Sequence, residues 1–468
     1  MVKVAFVQKE AYEKLSVHFL AGSLKEKDIH CEVFIHDLEK DFYVKIVAYK
    51  PDYVVYSLFI GEENFAFEYL KKIKTVLPES VTLVGGPFAL IYPEIISRPA
   101  VDYVFRGDGE KSLPEFILKH QRGEGLDSIK GLCYLDAHAQ AHKNEECDLV
   151  DVSENCFPNR DVYYKYKVLQ ESPVKIFIAS RGCPYGCTFC YNKELSRHFK
   201  KKYWRLRSIQ ETLEEIKYVK NTYGIEWVHF QDGTLNADKR WFKEFLRDYA
   251  QARLPGFLCN LRVENIDAET AVLLKKAGCD RITFGIQSGN DRVRHEVAGR
   301  LTTNEQIIRA CRLIQEQGIR IGIDIIFGWP GETFEEAMDT IRLCREIKAD
   351  SYSSNVLVFY PGLRVTHYAF EKGYIKKIPT LEEIHLLNFN DSLLMSKEKK
   401  IFINLDKLFF YLIKYPYFER MIFWLLKLPP NKIFLFLKNL HLLVRSFEYE
   451  KRLSKIVLLK NYLKTQVV

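Results

Sequence analysis

Short apolar runs alternate with longer stretches of helical periodicity over most of the chain. Between residues 1 and 122 the runs KVAFVQ, CEVFIH, YVVYSLF, VTLVGG and DYVFRG are separated by helix-patterned segments such as AYEKLSVHFLAGSLKEK and NFAFEYLKKIKTVLP. Strands joined by helices of this length predict an α/β, doubly wound parallel sheet with connections on both faces. Residues 123–172 hold short polar and strand-like pieces around Pro158, which read as a linker packed on its neighbours. The alternation resumes from Lys175 with KIFIAS, WVHFQDG, FLCNLR, ITFGIQSG, RIGIDIIFG and YSSNVLVFY, each strand ending in a polar or glycine-rich turn. Six such units over residues 173–376 predict a partial (β/α)6, TIM-like barrel, in which ligands gather at the carboxyl ends of the strands.

The last block, residues 377–468, changes character. Apolar runs such as KLFFYLIKYPYFERMIFWLLKLPP are divided by Pro416, Pro429 and Pro430, which predicts helices of about 12–17 residues. None reaches the roughly 18 uncharged apolar residues of a membrane span. Charge singles out the same block: residues 401–468 carry twelve Lys and Arg against four acids, an excess equal to the formal +8 of all 468 residues. The rest of the chain is therefore balanced. Three readings of this basic, aromatic-rich helical tail stay open. It is a cap packed on the barrel, the preferred reading, or a set of amphipathic helices on an anionic membrane surface, or a grip on RNA.

With 47% apolar and 14% aromatic residues, the chain has material for two or three cores. Its opening, MVKVAFVQKEAYEKL, has neither the basic start nor the long apolar core of a signal peptide, so a cytoplasmic protein is expected. Eight of the eleven cysteines stand singly among apolar or strand-like segments and read as buried, reduced thiols. The other three, Cys183, Cys187 and Cys190 in SRGCPYGCTFCYN, directly follow the first barrel strand. A structural zinc site would close with a fourth Cys or His at a similar pitch, and the nearest, His198, lies eight residues on. Three thiolates without a fourth better match a cubane iron–sulfur cluster with one iron left free of protein. Gly182 and Gly186 would let the loop fold tightly, and Pro184 limits its freedom.

The order Cys-x-x-x-Cys-x-aromatic-Cys, with Phe189 before Cys190, resembles the signature of the radical S-adenosylmethionine enzymes. WVHFQDGTL, CNLRVENID, ITFGIQSGNDRV and IDIIFGWPGET stand where that superfamily has its second to fifth strand motifs, so the likeness covers about residues 173–370. It implies a [4Fe–4S] cluster on Cys183, Cys187 and Cys190, with the fourth iron chelated by S-adenosyl-L-methionine and a 5′-deoxyadenosyl radical as the product of one-electron cleavage. The resemblance further implies cofactor contacts from Phe189, from Gln231, Asp232 and Gly233 toward the methionyl amine, and from Arg262, Gln287 and Ser288 toward ribose and carboxylate. Asp232 reads equally as a turn residue before glycine, and Arg262 as an ion-pair residue. Gln287 stands where the superfamily often has Glu. GWPGET is either a turn near the adenine, with Gly328 and Gly331 for close passage, or a plain strand-to-helix turn with Glu332 near the helix start.

The first block resembles the cobalamin-binding domain that precedes the barrel in one branch of that superfamily. The matching stretches are YSLF with Ser57, VGGPFA with Gly85 and Gly86, and DYVFRGDGEKSLPEF with Gly107, Gly109 and Glu110. The Asp-x-His-x-x-Gly motif that ligates cobalt is absent, since the chain reads VQKEAYEKL after its first strand. Cobalamin bound without a lower protein ligand is implied, and a domain that had lost the cofactor would look the same.

Together the resemblances imply an enzyme with a Rossmann-like cobalamin domain, a radical barrel and a helical tail. The reaction implied is methyl transfer to an unactivated carbon or a phosphinate of a small-molecule or lipid-like precursor, with an electron donor such as flavodoxin or ferredoxin. Rearrangement or oxidative cyclisation without methyl transfer is the first alternative. Transfer-RNA methylthiolation shares the QSG stretch at Gln287–Gly289, but the first block lacks the three extra clustered cysteines of a second cluster. A pure electron carrier would more naturally protect its cluster with four cysteines.

Overall fold

Strand β1 (Lys3–Gln8) buries five consecutive residues, as a strand covered on both faces does. It lies between β2 (His30–Ile35) and β3 (Tyr53–Ser57), and β4 (Val81–Gly85) and β5 (Tyr103–Phe105) follow beyond β3, all parallel. Chain order reverses between β1 and β3, which makes that edge the switch point where an open α/β sheet takes its ligand. The expected doubly wound sheet is present with an addition. β6 (Leu132–Leu135) and β7 (Ala141–Lys143) extend it in antiparallel pairs. The stretch expected as a linker thus supplies two strands, and its short helices Asp161–Tyr164 and Lys167–Gln170 send Tyr163, Tyr164 and Leu169 into the core.

These coordinates come from a computed structural model that describes residues 2–152, 156–199, 203–386 and 391–449. The chain divides into two compact units, one of residues 1–172, 176–181 and 205–225, the other of residues 173–175, 182–204 and 226–468. In the first unit a two-stranded ribbon pairs β9 (Ser180–Arg181) with β10 (Arg205–Leu206), as numbered along the chain after β8 (Val174–Phe177). The helix Ile209–Tyr223 follows and carries the buried Glu215. Arg160 donates to Glu215 at 2.5 and 3.0 Å and to Glu13 at 3.2 Å, and Arg207 donates to the other Glu215 oxygen at 2.6 Å. Buried charges persist only when paired in this way.

β8 joins β11 (Trp227–Phe230), β12 (Gly256–Leu261), β13 (Cys279–Gln287), β14 (Arg320–Phe327) and β15 (Ser351–Val356) in a six-stranded sheet of order β15-β14-β13-β12-β11-β8, with parallel pairing from β11 to β15. Every strand expected for the partial barrel is there, although KIFIAS splits into β8 and the start of β9. The crossover helices begin where their capping residues stand. Asp238 and Asp267 accept from first-turn amides, and Thr303 with Gln306 and Thr333 with Glu336 form complete capping boxes.

The tail breaks at its prolines as expected, into the helices Lys399–Lys414, Glu419–Leu426 and Lys432–Tyr449. The second has 8 residues, because Pro416 opens a separate single turn before it, and the third has 18, because no proline interrupts it. Lys399–Lys414 packs on β14, β15 and the helix Phe334–Ile347, burying Phe402, Leu405, Leu408, Phe409 and Leu412. Ser354 Oγ donates to Asp406 at 2.8 Å and Lys438 Nζ closes on the same carboxylate at 2.8 Å. This helix is a packed cover, in keeping with the cap reading. The charge counted for residues 450–468 lies outside the described residues. No helix among the described residues is long and apolar enough to cross a membrane. All eleven cysteines are free thiols. Of the eight single ones Cys31, on the edge strand β2, and Cys156, in a loop, are only half-buried, a departure from the expected burial.

Candidate functional site

The cysteine loop opens at Gly182, whose φ of +79 lies in the left-handed region. A Cβ there would stand 2.6 Å from the Tyr203 ring and 2.7 Å from its carbonyl oxygen, so only glycine fits. At Gly186, expected to share this role, a Cβ would meet nothing nearer than Lys193 Cε at 4.0 Å, so the tight point is Gly182 alone. Thr188, between the second and third cysteines, donates from Oγ1 to the Val297 carbonyl at 2.5 Å and from its amide to Ala298 at 3.1 Å. Val293–Val297 is a π-helical turn, a geometry that recurs at functional sites. The loop is therefore anchored through Thr188 rather than through its cysteines, which leaves Cys183, Cys187 and Cys190 half-buried and outside any disulfide.

Burial, with Cys190 and Cys187 as neighbours, pushes the Cys183 thiol up to about 11, and burial raises Cys190 as well. Thiols that resist ionisation in isolation become thiolates when a cationic centre is present. Among the described residues no three Cys, His, Asp or Glu side chains converge on one metal ion. A cubane gives each thiolate its own iron, so convergence on one point is not required of it. The donor set fits such a cluster.

Arg262 makes the ion pair that its second reading expected, with Glu264, and it also lies beside the cysteine loop. Its Nη1 donates to Cys187 Sγ at 3.6 Å, its Nε donates to Glu264 at 3.0 Å, and its guanidinium lies 3.9 Å from the centre of the Tyr185 ring. Burial opposes the charge of Arg262, but Glu264 and then Cys187 outweigh it and hold the pKa above its ordinary value. Arg300 lies in the field of Cys187, Cys183, Glu264 and Arg262, and burial followed by Arg262 pushes its pKa down. The two guanidinia share the single carboxylate of Glu264, which leaves one positive charge in excess near Cys187 for a further carboxylate. Tyr185, Glu264 and Arg300 went unread in the sequence. Tyr185 lies inside the signature itself, but no spacing rule ties Arg300 to a cysteine more than a hundred residues earlier.

Of the other expected residues, Gly233 abuts the loop: a Cβ there would be 3.7 Å from Cys183 Cβ and 3.5 Å from Asn192 Nδ2. Asp232 is buried, with its carbonyl accepting from Asn260 at 3.3 Å, while Gln231 is exposed. Gln287 has φ +68 at a register shift between β13 and β14, a strained position for a non-glycine residue. Its side chain folds over Gly285. Ser288 is buried in a turn, its Oγ accepting from Asn290 at 3.2 Å and its carbonyl from Arg294 at 2.7 Å. Phe189 meets Trp329 edge-on at 5.3 Å, which joins the signature loop to the GWPGET turn. Glu332 stands near the start of the next helix, one residue before its N-cap Thr333, and leaves the capping to Thr333 and Glu336. Its Oε2 instead accepts from the amides of Gly328 and Trp329 at 2.7 and 3.1 Å, and burial lifts its pKa to about 8.

The first unit carries its own strand-end shelf. Ser57 and Gly85 are register partners at the ends of β3 and β4. Gly86 follows with φ +93, where a Cβ would lie 2.7 Å from the Leu58 carbonyl oxygen. Ser57 and Ser16 share a hydrogen bond of 2.9 Å. In place of an imidazole, the loop after β1 brings Lys14, which donates to Glu62 at 2.6 Å and to the Ser57 carbonyl at 2.8 Å, while Tyr12 donates to Glu62 at 2.6 Å. Small residues on β3 and β4, beside the switch point, fit a large flat ligand laid across the strand ends, and the loop offers it no imidazole.

The family model of the radical SAM superfamily matches residues 177–344, and that of the B12 binding domain matches residues 4–117. An uncharacterized methyltransferase of Pyrococcus horikoshii is 27% identical over 82% of this chain and 85% of its own length. The cytidylyl-2-hydroxyethylphosphonate methyltransferase of Streptomyces wedmorensis is 26% identical over 73% of this chain and 71% of its own. The fold is similar to that of the radical S-adenosylmethionine methyltransferase TsrM of Kitasatospora setae, solved with cobalamin and a [4Fe–4S] cluster, at a TM-score of 0.68 and 18% identity over 80% of this chain and 78% of that one.

Proposed function

We propose, for a chain that belongs to the radical S-adenosylmethionine superfamily and carries a B12-binding domain, methyl transfer to an unactivated carbon or a phosphinate of a small-molecule precursor. The observation that carries the reading is the three-thiol loop with Arg262 beside Cys187, in a chain that also presents the Ser57–Gly86 shelf. When bound, the cluster supplies the electron that cleaves S-adenosylmethionine and cobalamin serves as methyl carrier. Cys183, Cys187 and Cys190 would hold the cluster, and Arg262 and Arg300 attract the methionyl carboxylate. Phe189, backed by the fully buried Trp329, offers an apolar wall for the adenine, and Gly233 leaves the methionyl amine room beside Cys183. Residues 1–122 serve as the cobalamin module, 123–172 as its extension, 173–376 as the radical module and 377–468 as the helical cover. A flavodoxin- or ferredoxin-like donor in the cytoplasm fits a chain whose eleven cysteines are all free.

The test uses full-length protein reconstituted without oxygen with iron, sulfide and cobalamin. About four irons per chain and corrin absorption bands are expected. With a candidate acceptor, S-adenosylhomocysteine and 5′-deoxyadenosine should form in equal amounts. Deoxyadenosine without S-adenosylhomocysteine would replace methyl transfer by rearrangement or cyclisation.

A further inference from the structure

The last two described helices turn an unusual face to solvent. Glu419–Leu426 and Lys432–Tyr449 both pack on Lys399–Lys414, the first through the buried Ile422 and Leu426 and the second through Phe434. The opposite faces should then be polar, as on an ordinary surface helix. They are not. Tyr417 is 97% exposed, Trp424 63%, Ile433 68% and Phe436 60%, and Phe418, Met421 and Leu440 are exposed beside them. Met421 and Trp424 recur at i and i+3, with Tyr417 on the turn before them, and Ile433, Phe436 and Leu440 recur at i, i+3 and i+7, so each helix carries one exposed stripe. Lys414, Arg420, Lys427 and Lys432 are exposed among them. The one acid between residues 414 and 440, Glu419, is paired with Arg345 at 2.6 Å.

We infer that this face docks on an anionic lipid surface. Apolar and aromatic stripes ringed by cations, on helices too short to span, are the composition of a segment lying in the headgroup layer. Charge argues against the two occupants the chain itself could provide. Residues 450–468 carry five cations and one acid, and a second copy would bring the same four cations, so either would meet the patch with like charge. The surface is independent of the cluster and of the shelf on β3 and β4, so its docking stands or falls apart from the proposed reaction.

The experiment is flotation of the full-length protein with vesicles of phosphatidylglycerol and phosphatidylcholine in equal parts, against vesicles of phosphatidylcholine alone. Binding to the anionic vesicles at low salt, weakened as salt is added, is expected. Arg420→Gln with Lys427→Gln should weaken partition about 25-fold, from about fivefold per cation at the surface. Trp424→Ser with Phe436→Ser should lower it at least about tenfold at every salt concentration. Both pairs are exposed, so a thermal melt matching the parent separates lost docking from lost folding. Brominated lipid should quench Trp424, read as quenching that disappears in Trp424→Phe. Failure to float with anionic vesicles overturns the inference. So does parent-like floating of both patch variants while Lys451→Gln, Arg452→Gln and Lys455→Gln together abolish it, which would move the contact to residues past 449. Release from vesicles by single-stranded RNA at lower concentration than by salt of equal charge would make the partner a nucleic acid instead.

Discussion

At the ends of β3 and β4 the first unit presents Ser57, Gly85 and Gly86, residues with almost no side chain, whereas the loop after β9 presents three thiols with two guanidinia nearby. On the proposed function, one site would work by leaving room and the other by gathering thiols and cations. Their supports differ accordingly. The shelf rests on a left-handed glycine and on the buried Lys14–Glu62 pair, while the thiol loop hangs on hydrogen bonds from the Thr188 hydroxyl to Val297 and from its amide to Ala298. A shelf of small residues tolerates drift in the groups around it. A ligand set does not, because every donor must stay in place.

The sharpest way to break this comparison is Cys187→Ala. It should abolish the iron–sulfur absorbance and the reductive cleavage of S-adenosylmethionine, yet leave corrin binding, measured by spectral titration, unchanged. Loss of both cofactors would show that the two sites are not separate. Next in size is a pH effect on stability at Glu332. Its folded pKa is raised to about 8 by burial, so the folded state keeps a proton that the unfolded chain has already released. Stability should therefore fall as pH rises from about 5 to about 8, by at most about 5 kcal/mol, and level off above that range. Glu332→Gln should flatten the profile in denaturant melts.

Glu215→Ala would leave Arg160 and Arg207 buried without their carboxylate and should cost about 3–5 kcal/mol. Burial alone would raise the Glu215 pKa, but Arg160 and Arg207 reverse this and hold it low, so the parent's contribution is lost only in acid. Smallest in stability is the glycine pair. Gly86→Ala should cost about 1–3 kcal/mol through strain at positive φ. Gly85→Leu, whose Cβ would meet nothing nearer than 3.7 Å, should leave the melt within about 0.5 kcal/mol and lose corrin binding. Retained corrin binding in Gly85→Leu would remove the shelf from the site.

Much of this protein was legible before any coordinates. The alternation of apolar runs and helical periods is a local property of backbone and burial, and it placed the parallel strands of both sheets. The cysteine signature was legible because its donors lie within eight residues, where spacing alone sets geometry. The prolines marked the breaks in the tail because a proline deep in a helical stretch removes an amide hydrogen bond and clashes with the preceding turn. β6 and β7, of 4 and 3 residues, are too short to show a period, so the pattern there reads only as a linker.

What only the tertiary structure decided are the contacts that close over long stretches of chain. Arg262 reaches Cys187 across 75 residues, and Arg160 reaches Glu215 across 55. Nothing local distinguishes such an arginine from a solvated one, because its partner is chosen by packing after the strands have assembled. The tail shows the same limit in reverse. Its aromatic residues and its charge were countable, but which of them face water depends on the side of each helix that Lys399–Lys414 covers, and that is settled by burial rather than by composition.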